Sequence, residues 1–549
     1  MPWQSGDSLN SGNLNRRSGL IFSATDPAYS ADTTGTNDSA ASLRAQFAAA
    51  AAAGGAAYIP TGIYRVDSLL TLHDQLLVYG DGPGRSILQA GSAHTSAILT
   101  NGSGVSDMAV ESLELDGNRG SRSTGGNLLH FTVGSGSTIQ NVRVANVYAH
   151  HSPDLGIILT RVDGGVVDGC HVSNNSRDGI TCYFTSRNIR IVNNHIHDCG
   201  DDHVGLNAEN DTSSGNSMLN IVVANNVLGP GGFFAGDGVA VRGVQGAVIQ
   251  GNIIREGFAS GVGVSNWNTT PSRDVIVSDN IILDTGLGNS GSNGYGVSVV
   301  GGRGNSSVSG SEGCYNTTIA RNIIDGSRTY GVRALASNSS GTVQWLKILD
   351  NTISCGTLNT GNRGIVLDTG MVIDVDIAGN SIYSAQAQGI FLNTSSAATY
   401  RRVVISENRV MNSGVAGGTV DAIDIRTTQE VSVRNNFISG SDTRFGIRYS
   451  GVSDAIQITN NYIVGNVTSA YSAITGPPTT HVIQGNLGDT RFASIRTLAA
   501  SALTASAGGT NVVPEEMVFV IGGTSGASLA IRSAGTIWIF NSAASAAQV

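Results

Sequence analysis

A short segment recurs about a dozen times between Ala145 and Leu487. It reads Val/Ile-x-x-Asn-x-Ile/Val, then a few small or polar residues, then Gly-Val/Ile-x-Val/Leu. Ile191–Ile196, Ile249–Ile254, Ile276–Ile282, Ile348–Ile353 and Val404–Val410 are examples. The asparagines fall at Asn194, Asn226, Asn252, Asn280, Asn322, Asn351, Asn380, Asn408, Asn436, Asn461 and Asn486. Most neighbours lie about 25 to 30 residues apart, the range in which a repeat signals a solenoid. Apolar residues alternate within each unit, so the units read as strands. Each repeat is then one coil of a parallel β-helix, and the asparagines stack into an internal ladder. Positions about 25 residues apart in sequence become neighbours in space.

Composition agrees with short strands joined by tight turns: the chain has 73 glycines and only 13% charged residues. A net charge of -9 provides no basic patch, so a nucleic-acid partner is not expected. The five cysteines are odd in number and lack zinc-like spacing, which argues against a disulfide framework or a metal finger. Cys182 alternates with inward residues and belongs to the core. Cys170 takes the place of a ladder asparagine. No apolar run is long enough to insert in a membrane, and no signal peptide is expected at the N-terminus.

Residues 1–25 form a polar segment without the repeat. Residues 26–90 hold one helix, Ala40–Ala53, and the first strands at 57–59, 64–66 and 76–79. Asp38 or Ser39 caps the helix, Leu43 and Phe47 form its inner face, and Gly54-Gly55 ends it. Such a helix covers the open end of the first coil, where strand edges would otherwise be bare. Residues 91–489 make the coils. Insertions at 208–218, 228–236, 265–274, 285–295 and 302–315 are expected to wall a groove on one face. Residues 490–549 change pattern and read as a β cap or assembly unit, with strands at 517–521, 528–532 and 536–540.

Aligning the coils on the strand after each turn places a column two residues before the first inward position: Asp178, Asp202, Asp237, Ser260, Tyr295 and Tyr330. Adjacent coils lie ~4.8 Å apart. Three successive carboxylates at that spacing, with Asp201 beside them, repel one another and raise at least one pKa or attract a cation. Paired carboxylates are what glycoside hydrolysis requires: one protonates the leaving oxygen and the other activates water or attacks. Asp178 and Asp237, two coils apart, approach the separation of about 6.5–9.5 Å that suits inversion. His203 sits within the cluster, and with Tyr183 it offers the base and acid of an elimination or epimerisation. Arg177 and Arg242 suit a uronate. Asn207, Glu209, Glu256 and Trp267, with Tyr295 and Tyr330, complete the expected substrate contacts. His150-His151, His195 and His197 read as turn residues. No metal-ligand set and no cofactor are expected, except Ca2+ if the reaction is elimination.

Three pieces resemble a known group. They are Ala31–Ser39 with the helix after it, Tyr58-Ile-Pro-Thr-Gly-Ile-Tyr-Arg-Val66, and Tyr79-Gly-Asp-Gly-Pro-Gly-Arg85. Together they look like the opening of the pectate-lyase-like, right-handed parallel β-helix superfamily, although Thr-Asn-Asp-Ser replaces the usual paired aspartates. Ser176-Arg-Asp178 and Gly200-Asp-Asp202 resemble two motifs of the polygalacturonase family at the aspartates. The family's Gly-His-Gly reads Gly236-Asp-Gly238, and no Arg-Ile-Lys follows. Pro2–Arg16 and Val518–Ala543 look like phage tail ends. The resemblance implies an all-β solenoid acting on an extracellular or capsular polysaccharide. It implies a hydrolase of tailspike type, with a lyase or epimerase, or a non-catalytic glycan-binding spike, as rivals. It also implies a homotrimer that is extracellular or carried on a virion.

Overall fold

The computed structural model describes residues 20–122, 125–208, 218–230, 236–286, 294–303, 313–337, 341–355, 361–393, 399–414, 420–426, 428–439, 445–450, 455–465, 469–471, 481–486, 496–499, 517–523, 526–533, 536–541 and 547–548. The chain is an all-β parallel β-helix. One sheet of 31 strands takes two strands from each typical coil, and a second sheet of 15 strands takes one. Every pairing in both sheets is parallel and joins strands of neighbouring coils, for example Ile180↔Val204, Val204↔Val239 and Val239↔Val262. These residues are fully buried and form one inward column.

The asparagine ladder runs from Asn194 to Asn486. In each coil the side-chain Oδ1 accepts from both the backbone N–H and the Nδ2 of the preceding asparagine. For Asn226 these bonds to Asn252 are 3.0 and 2.9 Å, and its Nδ2 also donates to the Ile191 carbonyl at 3.0 Å. The links continue unbroken to Asn461–Asn486. A buried amide that lost these partners would be expensive, so the ladder fixes the register of every coil. Cys170 does hold the next position: its N–H donates to Asn194 Oδ1 at 2.8 Å. All five cysteines are buried and free.

The residue before each ladder asparagine is in the left-handed region. Asn193, Asn225, Gly251, Asp279, Arg321, Asp350, Gly379, Glu407, Asn435, Asn460 and Gly485 all have positive φ, as does Gly169 before Cys170. This conformation turns the corner between the two strands of the larger sheet. At Gly251 an added Cβ would stand 2.7 Å from Asn225 Oδ1, so a larger residue there would have to push that side-chain amide aside.

The N-terminal helix spans Ala40–Ala52 and buries Leu43, Gln46 and Phe47. Asp38 caps it, with Oδ1 accepting from Ala40 N–H at 3.0 Å, while the Ser39 hydroxyl turns instead to the Asp32 carbonyl. Gln46 donates to the carbonyls of Phe22 and Tyr58, two groups on the first parallel strands Ile21–Ser23 and Ala56–Ile59. The helix therefore covers the first coil and satisfies part of its edge. The expected insertion at 265–274 is a small turn. Trp267 and Thr270 close it with reciprocal backbone bonds, and strand Ser272–Ser278 follows. The cores of the other four expected insertions lie outside the described residues.

Near the C-terminus a separate five-stranded sheet contains Arg496–Ala499, Met517–Gly523, Gly526–Ser533, Thr536–Asn541 and Ala547–Gln548. Its first pair is parallel and the others are antiparallel, unlike every pairing in the coils. Among the described residues no helix is long and apolar enough to cross a membrane.

Candidate active site

The column forms as the register dictates. Asp178 and Asp202 stand two residues before the paired Ile180 and Val204, and Asp237 pairs directly with Ser260. Ser260 pairs with Tyr295, and Tyr295 with Tyr330. Asp178, Asp202 and Asp237 are at most 5% exposed. One oxygen from each of Asp178, Asp201 and Asp202 lies within 4.8 Å of the others.

The buried acids are treated unequally. Arg242 binds Asp202 with both terminal nitrogens, Nη1 to Oδ2 at 2.7 Å and Nη2 to Oδ1 at 3.2 Å. Nη1 also donates to Asn207 Oδ1 at 3.0 Å, and Nη2 lies 3.7 Å from Asp237 Oδ2. Asp202 Oδ1 accepts the Asp237 backbone N–H at 2.8 Å. Asp202 is thus a fully paired carboxylate. Asp178 receives one bond, from Thr181 Oγ1 to Oδ2 at 2.9 Å, and its Oδ1 has no partner although it is buried.

Titration follows from that contrast. Burial, then the charges of Asp202 and Asp201, push Asp178 up to about 7. Burial and Asp202 push Asp201 to about 6, against Arg242, Arg177 and Arg303. Burial and Asp202 also raise Asp237 to about 6, with Arg242, Arg303 and Ser260 opposing. Burial alone would lower Arg242, but Asp202 and Asp237 outweigh it and hold the guanidinium firmly charged. At neutral pH the site holds one carboxyl poised to give up a proton beside another locked in an ion pair.

Space above the carboxylates depends on glycine. A Cβ on Gly205 would stand 2.8 Å from Asp178 Oδ2, and one on Gly263 would collide with the Asp237 carboxylate. Both glycines belong to one cross-strand row, Thr181–Gly205–Ala240–Gly263–Ser298, that floors the acids with small residues.

Several expected residues gather here. Tyr183 pairs in register with Asn207, and Asn207 with Arg242. Arg177 lies 3.5 Å from Asp154 and adds positive charge near Asp178 and Asp201. Tyr295 and Tyr330 stack with centroids 5.6 Å apart. Trp267 sits two residues past Ser265, the register partner of Arg242.

Others do not gather. His203 is buried, its Nε2 faces the Pro230 carbonyl at 3.1 Å, and burial lowers its pKa. Its Nε2 is turned to the Pro230 carbonyl rather than to the carboxylates. Glu256 is exposed at a positive-φ corner after strand Ile253–Arg255 of the larger sheet, away from the column. Glu209 lies outside the described residues.

His195 and His197 are strand residues rather than turn residues. They flank the buried Ile196 and point outward from the larger sheet. Burial, then His197 and His195, holds His171 down to about 4, and burial also lowers His195. His150 is buried at the end of strand Ile139–His150, with Nε2 3.0 Å from Glu114 Oε1.

Sequence reasoning missed Thr181, Gly205, Gly263 and Arg303. It also missed an arginine–aromatic run farther along the same sheet. Arg333 lies over the Tyr295 ring and donates to its hydroxyl at 2.8 Å. Arg363 lies over Tyr330 and Phe391. The signal was the row one residue after the inward column, where Gly205 and Gly263 flank Ala240.

Residues 22–226 match the family model described as rhamnogalacturonase A/epimerase, pectate lyase-like. No curated protein matches the chain. Among solved structures, the A-module of Azotobacter vinelandii mannuronan C-5 epimerase AlgE4 is 21% identical with a TM-score of 0.49, over 62% of this chain and 96% of that one. The Dettilon tailspike protein gp208 is 11% identical with a TM-score of 0.44, over 97% and 80%. The pre-mature gene product 12 of bacteriophage phi29 is 13% identical with a TM-score of 0.48, over 87% and 59%. The opening motifs that carry the resemblance thus lie within the stretch that matches this pectate-lyase-like family model, and the chain folds as a parallel β-helix.

Proposed function

We propose that the chain is a polysaccharide depolymerase that hydrolyses glycosidic bonds at the Asp178–Asp201–Asp202–Asp237 cluster. The observation that carries this reading is the unequal treatment of two adjacent buried acids. Asp178 is raised to about 7 with an unpartnered oxygen, and Asp202 is paired twice by Arg242. Hydrolysis needs this division between a carboxylic acid and a carboxylate. Asp178 protonates the leaving glycosidic oxygen. Asp237 takes the proton of an attacking water as its oxygen bonds to the anomeric carbon, while Asp202, paired by Arg242, holds the charge of the site. Asp178 and Asp237 are separated by two strand spacings, about 9–10 Å along the sheet, which favours inversion. Arg177, Asn207, Tyr183, Tyr295 and Tyr330 bind the chain, and the floor of small residues lets it approach. The family description over residues 22–226, which names a rhamnogalacturonase, supports a polysaccharide substrate.

The phage-tail-like ends of the sequence support a tailspike-type protein, homotrimeric and extracellular or virion-borne. The separate C-terminal sheet is the natural assembly element in that reading.

A second reading has one observation in its favour. Oxygens of Asp178, Asp201 and Asp202 lie close enough to share a cation. Hard oxygen ligands suit Ca2+, and an arginine such as Arg177 would then accompany elimination or epimerisation. The His203–Tyr183 pair is not favoured for this role, because His203 is buried against Pro230.

The test is incubation with a panel of bacterial exopolysaccharides and pectins, following reducing ends and ultraviolet absorbance together, for wild type and Asp178→Asn. Reducing ends without absorbance, lost in the variant, are the expected result. Absorbance rising with reducing ends, abolished by a chelator, would replace hydrolysis with elimination. Glycan binding without cleavage, unchanged by Asp178→Asn, would make the chain a non-catalytic spike.

A further inference from the structure

The outer face of the larger sheet carries a cluster the proposed hydrolysis does not use. His171 opens strand His171–Ser173, and His195 and His197 flank Ile196 on the next coil. The strands pair in register, His171 with His195 and Ser173 with His197. Side chains two apart share a face, so the three imidazoles meet outside the sheet. Their ring centroids form a nearly equilateral triangle with sides of 4.8, 5.0 and 5.0 Å. One ring nitrogen from each lies within 4.8 Å of the other two.

Two details point beyond stacked surface histidines. His171 Nε2 and His197 Nε2 face each other at 2.8 Å, so only one of them carries a proton between the rings. His197 Nδ1 lies 2.7 Å from Asp198 Oδ2. That carboxylate accepts a hydrogen bond from Nδ1–H and so leaves His197 Nε2 with a lone pair aimed at the other rings. A carboxylate behind a histidine, fixing its tautomer and orientation, is the usual second layer of a metal site. Tyr148 stacks on His171 at 4.4 Å and holds the ring from the preceding coil. His195 is exposed, so the cluster opens to solvent on one side.

We propose that His171, His195 and His197 bind one transition-metal ion of the Zn2+ class, with Asp198 positioning His197 and the remaining coordination position open to water. Imidazole donors suit Zn2+, Cu2+ or Ni2+ and do not suit Ca2+ or Mg2+. Ions of this class bond nitrogen at ~2.0–2.1 Å, which sets tetrahedral donors about 3.4 Å apart. The facing nitrogens need to part by only about half an ångström to accept the ion, releasing the proton they share. Because two ligands lie on one coil and the third on its neighbour, the ion would tie two consecutive coils from outside. The neighbouring Asp116, His150 and His151 form a second cluster and provide the internal control.

The experiment uses the full, untagged chain, stripped with a chelator and titrated with Zn2+ by calorimetry and with Co2+ by visible absorption. One Zn2+ per chain and the absorption of nitrogen-ligated Co2+ are expected. His195→Ala, exposed and tolerable to the fold, and His171→Ala should each weaken binding roughly 100-fold, and Asp198→Asn roughly 10-fold. His151→Ala and Asp178→Asn should leave affinity unchanged. Substoichiometric binding, binding that survives His195→Ala, or binding that falls with Asp178→Asn or His151→Ala would overturn the site. Circular dichroism of each variant separates lost ligands from lost fold.

Discussion

Two rows of buried polar side chains run along the same solenoid and are treated in opposite ways. In the asparagine ladder every described amide from Asn194 to Asn461 accepts two bonds or passes them on, and its Nδ2 also reaches a backbone carbonyl. In the acid column, Asp178 keeps a buried oxygen with no partner, and three acids sit high on the pH scale. Satisfied burial repeated in each coil marks structure. Several buried acids crowded into three adjacent coils mark chemistry, because such a cluster weakens the fold without a use for it.

That contrast breaks if both rows respond alike. The largest effect is expected at Asp202: Asp202→Asn removes the paired carboxylate and should lower turnover by about 10³-fold or more, read on reducing ends. Next is the ladder. Asn322→Ala orphans the Asn280 N–H, removes one of the two bonds of its Nδ2, and should destabilise by about 3 kcal/mol or more, read by denaturant unfolding, while cleavage by the folded fraction persists.

A sharper test uses stability against pH. The raised folded pKa of Asp178 means the native state holds its proton longer than the unfolded chain does. Stability therefore falls as pH rises from about 4 to about 7. Asp178→Asn should lose activity yet gain thermal stability at pH 7–8 relative to wild type, with little gain at pH 4. A loss of stability at both pH values would place Asp178 with the ladder. Asp201→Asn should move the alkaline limb of the activity profile to lower pH, because one charge that raises Asp178 is gone. The smallest effect is at a corner: Glu407→Asn replaces a left-handed residue by one that tolerates φ > 0. It should stabilise by a few tenths to about 1 kcal/mol.

The ladder, the inward column and the row of acids were legible because each obeys the repeat and needs only alignment of coils. The pairing of Arg242 with Asp202 was not, since it joins residues 40 positions apart through a guanidinium whose direction no pattern encodes. Arg303 reaches the acids from still farther along the chain. His203 was misplaced because proximity in sequence was read as proximity in the groove, although its Nε2 turns to the Pro230 carbonyl. His171 was overlooked for the converse reason: its relation to His195 exists only through the coil register. The left-handed corners did carry a signal that went unread: all but Arg321 and Glu407 are Asn, Gly or Asp, the residues that tolerate positive φ.

The ladder corner also acts as a ruler. The chain between successive asparagines varies from 25 residues, at Asn461–Asn486, to 42, at Asn280–Asn322, yet the hydrogen bonds across each gap have nearly the same lengths. New sequence can therefore enter this molecule only as an excursion between two marks, or as a whole additional coil. A change of one residue at the corner itself would throw every later coil out of phase. Changes of length are thereby confined to the connections, and the stacked corners keep their spacing whatever lies between them.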